Sequence, residues 1–533
     1  MSALRRRRAS GRFASFACAA ALAIPAAAED PFAIQALALG GRVVQADLVD
    51  LDGDGRGDLL CIRVEALPPH ERRVIHVFYQ RPDGVFPAAS DWSRALPGGV
   101  GAYDLAELDA RPGAELILLR RDRLTLLSLA GREPAFRDLP IGAEPTIAVA
   151  GDERGVDRMQ IARDGLGGRR PTRSEPQASE GGPLHGLAGE PRLLVPGMGW
   201  TAVLAPSGEV LGLLDVGVRA NYYLPKRPGP LVSESDVEVY IDHPRLSVGD
   251  VDGDGRGDVV SASRHELRVF LQDAEGRFPR RASRSIALGL LAPEDHVRNT
   301  GAVRVDGADF DGDRRLDLLI SNSVGSLFAA STTVSIHRNQ GSGWNLAQPD
   351  QQFRTESGLT SNLVIDLDGD GRVELIEARI PTGVLEIVEV LVTRAIDAEV
   401  AIYRQGAGAL FAAKPWHQWK LNVGWSFETF RSRGFVPTLE ADLNGDGMKD
   451  LLGSGDGDRL DVNLGRPDTG YDTRHASQQL DTGGRIRFGD LDADGLTDFV
   501  LYDSRRPGTP VQVGTNRGVL PGTQRRAELR EKP

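Results

Sequence analysis

An all-β fold of repeated, four-stranded units is what this 533-residue sequence leads one to expect. An acidic nonapeptide recurs along the chain, and period-2 apolar runs flank its copies. No long stretch carries the 3.6-residue periodicity of an amphipathic helix. Spacings between recognisable neighbouring copies are 57, 59, 57, 76 and 48 residues. Repeats of this length mean a propeller or a solenoid. Two to four strands fit in each interval, which suits the blades of a β-propeller and is too long for the coils of a β-helix.

From the N-terminus, residues 1–28 read as a secretory leader. Arg5 to Arg8 and Arg12 form its basic region, "FASFACAAALAI" its apolar run, and "PAAAED" an Ala-x-Ala cleavage site after Ala28. The expected location is secreted or periplasmic, and no later stretch is apolar and long enough to span a bilayer. Cys18 leaves with the leader, so Cys61 has no disulfide partner within the chain; in "DLLCIRV" it reads as a buried, inert thiol. Next, "FAIQALAL" is expected to complete the last blade and close the ring, which removes exposed sheet edges.

The repeat itself comes six times, as "DLDGDGRGD" (from Asp50), "DVDGDGRGD" (Asp250), "DFDGDRRLD" (Asp309), "DLDGDGRVE" (Asp366), "DLNGDGMKD" (Asp442) and "DLDADGLTD" (Asp490). Alternate positions carry oxygen donors. Position 1 is Asp50, Asp250, Asp309, Asp366, Asp442 and Asp490, and position 3 is Asp52, Asp252, Asp311, Asp368, Asn444 and Asp492. Position 5 is Asp54, Asp254, Asp313, Asp370, Asp446 and Asp494; position 9 is Asp58, Asp258, Asp317, Glu374, Asp450 and Asp498. Several oxygens converging from one tight loop suit a hard cation, and calcium accepts six to eight of them. Position 7 varies freely (Arg56, Arg256, Arg315, Arg372, Met448, Leu496), as expected where only a backbone carbonyl binds. Glycine at positions 4 and 6 permits the left-handed backbone of the turn, so Arg314 at position 6 marks the weakest expected site. Positions 2 and 10 are always apolar and should turn into the strands.

An EF-hand would need an acidic twelfth residue and flanking helices. The twelfth positions are Cys61, Ser261, Ile320, Glu377, Gly453 and Leu501, and the flanks read as strands, so that alternative fails. The two Arg-Gly-Asp tripeptides are incidental, because Asp58 and Asp258 are ninth-position residues of a pattern shared with four loops that lack the tripeptide. Without a 28-residue leader, 58 basic face 75 acidic side chains, a net charge of −17. The six loops hold 23 of those carboxylates, and six divalent ions would bring the chain to −5. No basic stripe points to nucleic acid.

These residues resemble FG-GAP and VCBS-type repeats, the calcium-loop blades of the integrin α-subunit propeller and of exported bacterial relatives. "VGDVDGDGRGD" from Val248 and "FGDLDADGLTD" from Phe488 lie closest to that pattern. The resemblance implies a propeller, usually of seven blades, whose calcium loop joins the first two strands of a blade. It also implies ligation by the side chains at positions 1, 3, 5 and 9 and the position-7 carbonyl, at about six calcium sites. Two degenerate units, "ELDARPGAE" from Glu107 and "GDERGVD" from Gly151, are expected to form blades without metal. Counting both gives eight blades; treating one as an insertion gives seven. The propeller is expected over 29–520, with a polar, disordered insertion over 163–190 and a polar tail over 521–533.

Function is less legible. Nine histidines are scattered without HExxH, GxSxG or Walker patterns, and His243 and His296 merely sit near acids. The expected role is a non-enzymatic, monomeric binding or scaffolding module, of adhesion type, whose calcium is structural and whose partner is an extracellular protein or carbohydrate. An extracellular propeller hydrolase or lyase is the alternative. "KPWHQWKLNVGWSFETF" from Lys414 holds Trp416, Trp419 and Trp425 with Phe427 and Phe430. It is either inter-blade packing or an exposed recognition platform, which the exposure of Trp416 and Trp419 separates.

Overall fold

A computed structural model of the chain describes residues 29–524, less 66–71, 110, 144–145, 148–155, 165–190, 224–237, 293–300, 326–330, 342, 357, 382–394, 407–409, 427–430 and 473–475. The leader, most of the 163–190 insertion, His296, Phe427 and Phe430 therefore lie outside the described residues. Within them the chain is an eight-bladed β-propeller, the larger of the two blade counts. The one helical element described is a 3₁₀ turn, Ala130–Arg132.

Blade 1 is Arg42–Val49, Asp58–Glu65, Arg72–Phe78 and Trp92–Ala95, four antiparallel strands in chain order. Blade 2 begins at Ala102–Ala106, blade 3 at Ala162–Arg163, blade 4 at Arg245–Gly249, blade 5 at Ala302–Ala308, blade 6 at Gly358–Ile365 and blade 7 at Thr438–Ala441. Blade 8 takes Arg485–Gly489, Asp498–Tyr502 and Val511–Asn516 from the C-terminal end, and Phe32–Leu37 from the N-terminal end. Phe32 pairs with Asn516 and Leu37 with Val511, as "FAIQALAL" predicts. The closure is clamped from blade 7: the Gln478 side chain accepts from the Phe32 N–H and donates to the Phe32 carbonyl, both at 3.1 Å.

Each blade is covered on both faces, so its second strand must be apolar on both faces. In blade 1, Leu60, Ile62 and Val64 point into the core shared with blade 2. Leu59 and Cys61 point the other way, into the core shared with blade 8. That is why "DLLCIRV" reads as an unbroken run, and why Cys61 is a buried free thiol whose pKa burial pushes far up. Every pair of neighbouring blades shares such a core, including blades 8 and 1. Each fully buried Leu, Ile or Val contributes about 1.5–3 kcal/mol.

The Gly151 unit departs from expectation. Its residues 151–155 lie outside the described set, but Asp157–Arg158 forms a short strand parallel to Ala102–Tyr103, at the inner edge of blade 2. Blade 3 starts only at Ala162, so its first-to-second-strand connection falls within 164–191, not at Gly151. Within the first residues of the expected tail, the Gln524 N–H donates to the Asn444 carbonyl at 2.7 Å, and residues 525–533 lie outside the described set.

Candidate functional site

All six acidic nonapeptides occupy one position in the fold, the turn from the first to the second strand of blades 1, 4, 5, 6, 7 and 8. The Glu107 unit occupies it in blade 2. The turn is wound by its own carboxylates. The position-1 Asp accepts the N–H of position 6 in every loop, at 2.8–3.1 Å. In five loops its other oxygen accepts the position-4 N–H at 2.6–2.8 Å. Position 5 accepts the N–H of position 7 at 2.8–3.0 Å throughout. The two non-glycine residues at the glycine positions, Ala493 (φ 59°) and Arg314 (φ 69°), still adopt the left-handed backbone.

Position 9 is the structural anchor. One carboxylate oxygen of Asp58, Asp258, Asp317, Glu374, Asp450 and Asp498 accepts the position-2 N–H at 2.7–3.0 Å. In five of these the other oxygen accepts an N–H from the end of the third strand: Gln80, Gln272, Asn339, Gly465 and Asn516, at 2.7–3.1 Å. These carboxyls are almost wholly buried. Desolvation, reinforced by the other loop carboxylates, raises their pKa to about 7 at Asp58, Asp258, Asp317 and Glu374. It reaches about 8 at Asp450 and Asp498.

Carboxylate oxygens converge in five loops, with three lying within 4.8 Å of one another. The sets are Asp50–Asp52–Asp58, Asp309–Asp311–Asp317, Asp366–Asp368–Glu374 and Asp490–Asp492–Asp498, at positions 1, 3 and 9, and Asp250–Asp252–Asp254, at positions 1, 3 and 5. These clusters can hold a metal ion. The Asp442 loop forms no all-carboxylate set because position 3 is Asn444, whose amide oxygen accepts the Asp446 N–H at 3.1 Å. Asp54, Asp313, Asp370 and Asp494 lie outside the close sets, as does Asp258 in its own loop. Side chains at position 7 are not idle: Arg56, Arg256 and Arg315 ion-pair with Asp54, Asp254 and Asp313, while Met448 and Leu496 are buried.

The positions-2 and -10 expectation holds at all twelve residues, each buried. The degenerate loop keeps half the machinery. Glu115 accepts the Leu108 N–H at 2.8 Å, as position 9 does elsewhere, but position 5 is Arg111, which pairs with Asp109 at 2.7 Å.

Neighbouring loops are joined around the ring. The position-8 N–H donates to a carbonyl at position 1 or 2 of the preceding loop: Gly57 to Leu491, Ala114 to Asp50, Leu316 to Asp250, Lys449 to Leu367 and Thr497 to Asp442, at 2.7–3.0 Å. Side-chain amides add a second clasp, from Asn339 to Val251 O, Gln405 to Phe310 O and Asn516 to Leu443 O, at 2.8–2.9 Å. Sequence reading missed these amides. Their signal is an Asn or Gln at or just past the end of the third strand, hidden by its variable distance from the loop.

The aromatic segment is neither expected extreme. Trp416 and Trp419 are half-buried, packed on the core between blades 6 and 7 and against Tyr471, with ring centroids 6.5 and 5.5 Å away. His243 is likewise half-buried, with its pKa lowered by burial.

The FG-GAP-like repeat family model matches residues 250–320, which contain the loops of blades 4 and 5. Among solved structures, the Dos1 propeller aligns at a TM-score of 0.34 and 8% identity, over 91% of this chain and 95% of that one. The V. cholerae biofilm matrix protein Bap1 aligns at 0.25 and 10% identity, over 79% and 88%. No curated protein matches the sequence. The fold and loops define the class, a β-propeller with acidic inter-strand loops. More particularly, the chain is a propeller of eight blades, of which the region 250–320 matches the FG-GAP-like repeat.

Proposed function

We propose that this protein is an exported, non-enzymatic binding or scaffolding module whose acidic loops hold calcium as a structural element. The observation that carries it is the convergence of three carboxylate oxygens within 4.8 Å in five loops at one recurring position. Oxygen-only donor sets fit a hard cation such as calcium. In each loop, positions 1, 3, 5 and 9 would supply the side-chain oxygens, and position 7 a carbonyl. Bound calcium would neutralise carboxylates that burial alone makes costly to ionise. Because the Asp50, Asp309, Asp442 and Asp490 loops each donate to the loop before them, an ion that stiffens one of these turns also stiffens the seam beside it. Acidic loops outside the cell bind calcium at roughly 10⁻⁴–10⁻³ M, so the ion acts there as a constant stabiliser rather than a signal.

The leader-like residues 1–28 support export, and no helix among the described residues is long and apolar enough to cross a membrane. For the partner, the half-buried Trp416 and Trp419, packed on the buried Tyr471, are the surface to test for an extracellular carbohydrate or protein. Glycan and peptide arrays, run with calcium and with chelator beside a hydrolase and lyase activity screen, test the reading. Calcium-dependent capture without turnover is expected; turnover of any substrate would instead establish the enzyme alternative.

A further inference from the structure

The six loops are not equivalent, because in some a protein-borne cation lies on the position-3 carboxylate. In blade 1 the Arg132 guanidinium, from the turn that ends the third strand of blade 2, donates to Asp52 at 2.7 Å and lies 3.6 Å from Asp54. In blade 6 the Arg404 guanidinium donates to Asp368 at 3.0 Å. Both are held from outside the loop. Arg132 lies over the Tyr79 ring at 4.6 Å and takes a left-handed backbone (φ 66°). Arg404 stacks on Trp416 at 3.7 Å and donates to the Pro467 carbonyl at 2.6 Å. Blade 5 has a looser version, with Arg338 3.6 Å from Asp311 and chiefly bound to Asp350. In blade 4 no Lys or Arg among the described residues comes within ion-pairing distance of Asp250 or of the position-3 Asp252, while the loop's own Arg256 pairs with Asp254, as the position-7 arginines of blades 1 and 5 pair with their position-5 Asp.

Blade 2 shows where such a replacement leads. Its loop keeps the strand-anchoring Glu115 and has Arg111 on Asp109 in place of a fifth-position carboxylate. A guanidinium on position 3 is thus compatible with the turn when the full acidic set is absent.

From this we infer that Arg132 and Arg404 are built-in competitors for the cation in the Asp50 and Asp366 loops, which sorts the sites into classes. The Asp250 loop, with no such cation on its position-3 carboxylate, fills before the Asp50 and Asp366 loops, which fill only when calcium displaces the guanidinium. The inference rests on the calcium reading above. It makes Arg132 and Arg404 affinity-setting residues rather than ligands, and it ties the Trp416 stack to occupancy of blade 6.

Calcium titration of the full mature chain by calorimetry, with bound metal counted by elemental analysis, tests it on wild type, Arg132→Ala, Arg404→Ala and Asp252→Asn. Wild type should show at least two affinity classes. Each arginine variant should move one site to the tighter class, with a dissociation constant three- to tenfold lower, while Asp252→Asn should remove a tight site. Arg132→Gln and Arg404→Gln keep side-chain bulk and carry the test should either alanine variant fail to fold. Calcium binding that is unchanged, or weaker, in folded arginine variants overturns the inference and leaves the calcium reading standing. No calcium bound by wild type or any variant overturns both.

Discussion

At the scale of single residues, the ninth-position acid does two jobs that the repeat pattern presents as one. It sits among the candidate ligands, and it accepts two backbone N–H groups, one closing the loop at position 2 and one fastening it to the end of the third strand. Replacing Asp258 by Ala in chelator isolates the second job. Two buried donors lose their acceptor, so destabilisation of about 2–4 kcal/mol is expected, read as a lower denaturation midpoint at unchanged slope. The titration of these groups fixes a pH dependence. Their folded pKa values of about 7 to 8 lie well above the ordinary Asp value of about 3.9. Between those limits the folded state holds more protons than the unfolded one, so without metal their contribution is complete at low pH and lost as pH rises through 7 to 8. A bound cation replaces those protons. The melting-temperature gap between calcium and chelator should therefore widen from pH 5 to pH 8; a gap that narrows contradicts the assignment. Arg314 offers a third check. It holds a left-handed backbone that disfavours a side chain, so Arg314→Gly should stabilise the protein by about 0.5–1 kcal/mol in thermal melts.

Among the elements, what the sequence made legible was whatever repeats locally. The loop positions, the buried second and tenth residues and the closing strand all follow from periodicity and spacing within a few residues. The features that escaped depend on partners far along the chain. Arg132 reaches Asp52 across 80 residues and Asn516 reaches Leu443 across 73, and neither spacing recurs between blades. Position 7 looked indifferent because its arginines act through Asp at position 5, a pairing that Met448 and Leu496 replace with burial. The Gly151 unit misled because an acidic sequence just ahead of the short Asp157–Arg158 strand imitates a repeat without lying between a blade's first two strands. The closing strand invites a direct test. Deleting the N-terminal residues up to Leu37 exposes the edge at Val511–Asn516 and uncovers Phe499, which packs on Phe32 with ring centroids 4.9 Å apart. A lower and broader melt, with self-association through the open edge, is the expected outcome on calorimetry and light scattering.

Across the whole molecule, the eight blades form a ring in which every interface is a shared apolar core and the loop turns are hydrogen-bonded from blade to blade. Acidic charge is concentrated where those turns meet, so the ring's cohesion is coupled to whatever neutralises them. Thermal unfolding of the chain from Glu29 onward at pH 7.5, in millimolar calcium and in excess chelator, tests that coupling most directly. A melting temperature that is several degrees higher with calcium, together with bound alkaline-earth metal by elemental analysis, is predicted. Superimposable melts from a protein that carries no such metal would contradict the account.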